Sequence, residues 1–435
     1  MLNHTANHQT RCRALLALAL ILLLLVPPQP AHAYSVLSHE QVVDLAWKSH
    51  IVPLLRRRYP TITPEQIKEA HAYAYGGSVI QDLGYYPFGS KEFSDLVHYV
   101  RSGDFVAEML RQSQDQKEYA FALGALAHYV SDVDGHPAVN EAVGLRYPKL
   151  RARYGPSVKY AEDKTAHLKT EFGFDTLQVA KNRYAPDQYH DFIGFEVSEP
   201  LLERTFPIVY GMDLKQALPH QELAIGSYRW AISQLIPHMT KVALQLHKKQ
   251  LASESPNFQK RKFLYRVSRA DYEHSWGATY QRPGFGTRFL AALLSIMPKI
   301  GPFKGLGFND PTQHTEDLYI QSINKTFEDY RHLLEEMKTH VPELPDRDLD
   351  DGAPTRPGEY TLADDAYAKL LTQLADKKFA QMRPELRDNI LAFYANPATT
   401  VKTKRDDARW QKVQDALDQL KTALPVVADA ADLAQ

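Results

Sequence analysis

Residues 117–133, KEYAFALGALAHYVSDV, constrain the fold more than any other stretch. Apolar side chains recur at the three-to-four spacing of a helix and leave almost no polar face, so this segment predicts a helix buried in a core. Two groups within it resist burial. His128 and Asp132 stand four apart, one helical turn and one face. A charged or polar side chain in such a place needs a partner of comparable strength, and a metal ion is one that both could share. The motif continues as DGHP, residues 134–137. Pro137 biases His136 out of helical geometry and Gly135 lets the chain turn, so the helix is expected to stop there, with His136 aimed at a neighbouring ion.

The same i, i+4 spacing recurs in TAHLKTEFGF (165–174), with His167 and Glu171. Upstream lie His39 in LSHE, Asp82 in IQDLGYYPFG and His98 in DLVHYVRSGD. Each alone has an ordinary reading: a lone histidine on an apolar helix face is usually a hydrogen-bonded core residue, and an HxxxE is often a surface pair. Together they make a set of nitrogen and oxygen donors suited to a multinuclear zinc site. Thiolate is excluded, because Cys12 is the one cysteine and falls in a leader. That leader has Arg11 and Arg13, an apolar run over 14–26 that is short for a membrane span, and AHA at 31–33. It reads as a secretory signal peptide, cleaved after Ala33 to expose Tyr34, which predicts a secreted or periplasmic protein.

Helical periodicity dominates the rest: 38–60 with Ser38 as N-cap, 220–250 bent at Pro237, 315–340 and 362–380. No alternating strand series stands out, so the fold class is all-α, with 44% hydrophobic residues to build a core. Two irregular stretches, 248–262 and 341–360, read as joints. They divide the chain into a domain over 34–250, a helical extension over 251–345 and a C-terminal helical region over 360–424. With 51 Lys+Arg against 52 Asp+Glu, the chain has no basic excess, so no dedicated nucleic-acid partner is expected. The apolar run in 282–308, flanked by Arg282, Arg288, Lys299 and Lys304, admits a peripheral membrane contact, although a buried helix is the simpler reading.

From about 34 to 240 the ordered donors resemble the zinc-dependent phospholipase C family and the related single-strand nucleases, which share an all-helical fold. The resemblance implies about three zinc ions. One would be held by the amino group and carbonyl of Tyr34 together with His39. Asp132 of the HxxxD would bridge two ions, with His98 and His128 completing the second set. His136, His167 and Glu171 would hold the third ion. Asp82 would bind metal or act as general base. The implied activity is phosphodiester hydrolysis by metal-activated water, most simply on phospholipid, with a single-strand nuclease as the alternative. A secreted helical protein with merely structural zinc is the reading from outside enzymes. The sequence departs from the family in two ways: Tyr stands where the family usually begins with Trp, and the gap from Asp132 to His136 is short. The short form is more similar to the metal domain of the glycosylphosphatidylinositol-cleaving phospholipase D branch. Residues beyond about 250 match no motif.

Overall fold

The computed structural model describes residues 36–86, 88–180, 195–230 and 311–425. The leader, Tyr34, the 282–308 run and the Pro237 bend lie outside these residues. Fifteen α-helices and no sheet are present among the described residues, as expected for an all-α chain. The nearest approach to a strand is one isolated bridge between Arg347 and Pro354. No described helix is long and apolar enough to cross a membrane.

The chain opens with α1 (Val36–Ala46), a π-turn (Trp47–Ile51) and α2 (Val52–Arg58), so the stretch expected as one helix over 38–60 is two helices joined by a widened turn. Val52 N–H reaches back to Trp47 O, just ahead of Pro53, which has no N–H to give. Ser38 is not the cap. The helix already runs at Val36, and it is Asp175, far along the chain, that accepts hydrogen bonds from Leu37 N at 2.9 Å, Ser38 N at 3.1 Å and Ser38 Oγ at 2.7 Å. A carboxylate there satisfies N–H groups that a helix start leaves without internal partners.

Next come α3 (Pro64–Gly77), a 3-10 turn (Ile80–Tyr85), α4 (Lys91–Tyr99), α5 (Ser102–Gln112) and the spine of the molecule, α6 (Gln116–Arg146). Asp115 starts α6 by accepting from Lys117 N and Glu118 N. From Tyr119 to Asp132 every α6 side chain is buried, because α3 lies along one flank and α12 (Gln313–Glu336) along another. Each fully buried Leu or Phe in such a core contributes roughly 1.5–3 kcal/mol.

The expected stop at Gly135–Pro137 does not occur: α6 runs through Pro137 to Arg146. A mid-helix proline normally costs about 3 kcal/mol because it removes one hydrogen bond and crowds the carbonyl four residues back. Here that carbonyl belongs to Val133, and Gly352 sits directly over it. A Cβ placed on Gly352 would lie 2.2 Å from Val133 O. Gly352 also has φ +71°, a conformation that side chains disfavour. The irregular segment 341–360 therefore docks where the proline has left the helix backbone exposed.

The remaining helices are α7 (Pro148–Tyr154), α8 (Lys164–Ala180), α9 (Glu199–Tyr210), α10 (Leu214–Ala217), α11 (Gln221–Trp230), α13 (Thr361–Asp376), α14 (Pro384–Phe393) and α15 (Asp407–Thr422). α13 rests on α4 and links the C-terminal helices to the wall of the site.

Candidate metal centre

α6 carries four polar side chains at four-residue spacing: His128, Asp132, His136 and Asn140. All are buried to within 1% of full exclusion from solvent. Asp132 lies at the centre of the first cluster. Its Oδ1 is 3.6 Å from His39 Nε2 of α1. Its Oδ2 is 3.0 Å from His128 Nε2 and 3.6 Å from His98 Nε2 of α4. His39 stacks on His128 with ring centroids 4.3 Å apart, and His98 meets His128 edge-on at 5.6 Å. Asp82, on the 3-10 turn, brings a second carboxylate 3.4 Å from His98 Nε2. The turn is tied to α4 by Ser94, whose Oγ accepts from Gly84 N and donates to Gln81 O.

Backbone carbonyls set the imidazole tautomers. His98 Nδ1 is 2.8 Å from Ser94 O, and His128 Nδ1 is 2.9 Å from Ser78 O. A carbonyl can only accept, so both Nδ1 atoms carry a proton and both Nε2 atoms are turned toward Asp132. Ser78 reaches His128 because α3 and α6 cross at glycines. A Cβ on Gly77 would lie 2.0 Å from Phe121 O, and one on Gly124 would lie 2.0 Å from Ala74 O.

In the second cluster, His136 Nδ1 donates to Leu349 O, and the His136 and His167 rings are 5.4 Å apart. His167 Nδ1 lies 2.5 Å from Glu171 Oε1, one turn on along α8. Both clusters thus form, and both i, i+4 pairs read from the sequence close as expected. His136 reaches a different cluster from His128 without leaving the helix: eight residues advance about 12 Å along the axis.

The electrostatics explain why such groups do not sit together unaided. Burial works against charge on His98, yet the carboxylates of Asp82, Asp132 and Asp350 outweigh it and push its pKa up to about 9. His128 is raised for the same reason, burial opposing and Asp132 prevailing. Burial raises Asp132 in spite of His128 and His98, and raises Glu171 to about 7 in spite of His167.

Among the described residues, three groups each bring their donor atoms within 4.8 Å of one another: His39/His128/Asp132, Asp82/His98/His128 and His136/His167/Glu171. Neither oxygen of Asp132 accepts a hydrogen bond of ordinary geometry, nor does His128 Nε2, although all are buried. A carboxylate ringed by three imidazole nitrogens at 3.0–3.6 Å and left without such bonds fits a bridging ligand better than a core residue. Imidazole and carboxylate donors without thiolate suit zinc.

Sequence reasoning missed the supports of the second cluster. Asn140 Oδ1 lies 2.7 Å from His167 Nε2, and Asn140 Nδ2 donates to Asp350 O at 2.9 Å. Leu349 N–H also donates to His98 O. The Asp350 carboxylate accepts from Tyr99 Oη at 2.8 Å and from Tyr360 Oη. Asn140 had a signal, because it continues the 128/132/136 stripe once the helix is allowed through Pro137. Leu349 acts through its backbone, which no side-chain pattern announces.

No curated protein and no solved structure matches the chain. Residues 38–218, the stretch that supplies all eight of the clustered donors, match the family model described as zinc dependent phospholipase C.

Proposed function

We propose that the chain is an exported zinc-dependent phosphodiesterase that cleaves phospholipid at the headgroup phosphate, holding about three zinc ions. The observation that carries this reading is Asp132, buried between His39 on one oxygen and His98 and His128 on the other. The family matched over residues 38–218 supports the substrate class.

When bound, zinc would bring the pKa of a coordinated water toward ~7 and offset charge on both the attacking and leaving oxygens. The chain's own groups do the rest. His39, His98 and His128 converge on Asp132 from three helices and would hold zinc there. Asp82, on a turn pinned by Ser94, takes the proton from the attacking water as general base, either directly or while it holds metal. Ser78 and Ser94 carbonyls keep His128 and His98 in the tautomer that leaves Nε2 available as a ligand. Export fits the leader over 1–33, and cleavage after Ala33 would bring the Tyr34 amino group to within a few residues of α1 and His39.

The test is hydrolysis of phosphatidylcholine vesicles beside single-stranded DNA, with zinc content measured on the same sample. About three zincs per chain, headgroup release and loss of activity in EDTA are expected. Cleavage of DNA with no release from vesicles would move the assignment to the nuclease branch. One zinc or none, with no hydrolysis of either, would leave a structural metal at most.

A further inference from the structure

Resting on that zinc reading, we infer that Asn140 is the positioning residue of the third metal pocket: its amide fixes the ring of His167 and ties the pocket to the strap formed by residues 346–352.

The two neighbours of the amide allow it one orientation. Asp350 O is a carbonyl and can only accept, so the Asn140 atom 2.9 Å from it must be Nδ2. That leaves Oδ1 facing His167 Nε2 at 2.7 Å. Because Oδ1 can only accept, Nε2 must carry the proton. His167 then presents Nδ1 to Glu171, whose Oε1 is 2.5 Å away, and to the space it shares with His136. His167 is thereby opposite in sense to His98, His128 and His136, which all spend Nδ1–H on a backbone carbonyl and turn Nε2 inward. A histidine that ligates through Nδ1 has its ring set at a different angle from one that ligates through Nε2, and something must hold it there. Asn140 is the hydrogen-bond partner of its Nε2, and it is 1% exposed.

The strap gives this contact its second half. Leu349 O receives His136 Nδ1–H and Asp350 O receives Asn140 Nδ2–H, so two successive strap carbonyls orient two ends of the same pocket. The strap is itself held by Tyr99 and Tyr360 on the Asp350 carboxylate and by Lys159 on Asp351. It lies beyond residues 38–218, so the metal-binding stretch depends on chain outside the matched family region for the alignment of its third ligand set.

The experiment uses the full zinc-loaded protein, with Asn140→Asp and Asn140→Leu. Asp keeps an acceptor for His167 Nε2–H and loses the donor to Asp350 O; Leu loses both. Three quantities are read: zinc per chain, release of the weakest-held zinc to a competing chelator, and the ring 15N signature of His167 with its Nε2–H resonance. The Leu variant should lose the third zinc with roughly 10–100-fold weaker binding and lose the protected Nε2–H signal. The Asp variant should keep both while melting at a lower temperature. If the Leu variant folds and holds three zincs at unchanged affinity, or if Asp and Leu lose the third zinc equally, the inference is overturned. If the unaltered protein itself holds no third zinc, the reading beneath it fails instead, and the variants are not needed to see that.

Discussion

The two ligand clusters use the same residue types and both hang from α6, but they are supported differently. The first, around Asp132, is oriented by nearby helices. Ser94 is one turn before His98 on the same helix, and Ser78 follows α3, which lies against α6 across glycine contacts. The second, around His136, His167 and Glu171, depends on Leu349 and Asp350, more than 200 residues along the chain from His136 and Asn140. A cluster oriented by helix carbonyls is as stable as the helices themselves. One oriented by a strap is as stable as the strap's docking, and local opening of such segments costs less than global unfolding. The first cluster should therefore resist perturbation and the second should yield to it.

His128→Ala is the severest test, since its one available nitrogen, Nε2, sits where the two donor groups of the first cluster meet. Zinc content should fall to about one per chain, and phosphodiester hydrolysis by at least roughly 10³-fold, a few kcal/mol of lost charge stabilisation. Elemental analysis and a phosphatidylcholine assay on folded protein check this. Loss of folding with zinc unchanged would mean that His128 is a core residue. His136→Ala sharpens the contrast. It should remove one zinc and leave two, with the Asp132 cluster intact. Simultaneous loss of all three would show that the clusters are not separately supported.

Gly352→Ala acts where the strap meets α6. The added Cβ meets Val133 O at 2.2 Å and must adopt φ +71°, which together should destabilise the docked segment by about 2–3 kcal/mol. Zinc at the second cluster should become easier to strip with a chelator, while the two ions of the first stay put. Equal weakening of all three would break the distinction.

These cases also define what the sequence made legible. The i, i+4 pairs were readable because helical spacing converts directly into a shared face, and His128/Asp132 and His167/Glu171 both close. His39, Asp82 and His98 needed the family resemblance, because nothing local says that α1, a 3-10 turn and α4 meet. The path of α6 through Pro137 was misread for a tertiary reason: the exposed Val133 carbonyl is covered by a glycine 215 positions further on in the numbering from Pro137. Residues 341–360 look like a joint because part of their order comes from backbone groups. Asp348 N–H bonds to Ala353 O, Gly352 N–H to Asp348 O and Leu349 N–H to His98 O, and composition records none of these.

The mildest perturbation comes from Asp346, where the strap begins. Its Oδ1 accepts from Gly103 N at 3.1 Å and Asp104 N at 3.2 Å, at the start of α5. Burial, then the nearby Asp104 charge, raises its pKa to about 6 although those two N–H groups pull it down. The folded protein therefore binds this proton more tightly than the unfolded chain does. Its contribution to stability is fully present below about pH 4 and is lost as pH rises through about 6. Asp346→Asn keeps an acceptor for the two N–H groups and removes the charge. The variant should be more stable than the parent by at most about 3 kcal/mol at pH 7–8, with the difference vanishing near pH 4. Denaturant melts across pH 4–8 measure it. Under the contrast drawn above, the gain should also slow release of zinc from the second cluster and leave the first unchanged. A variant that is less stable than the parent at pH 8 would mean that the ionised carboxylate anchors the strap, and that the strap's hold strengthens with pH instead of weakening.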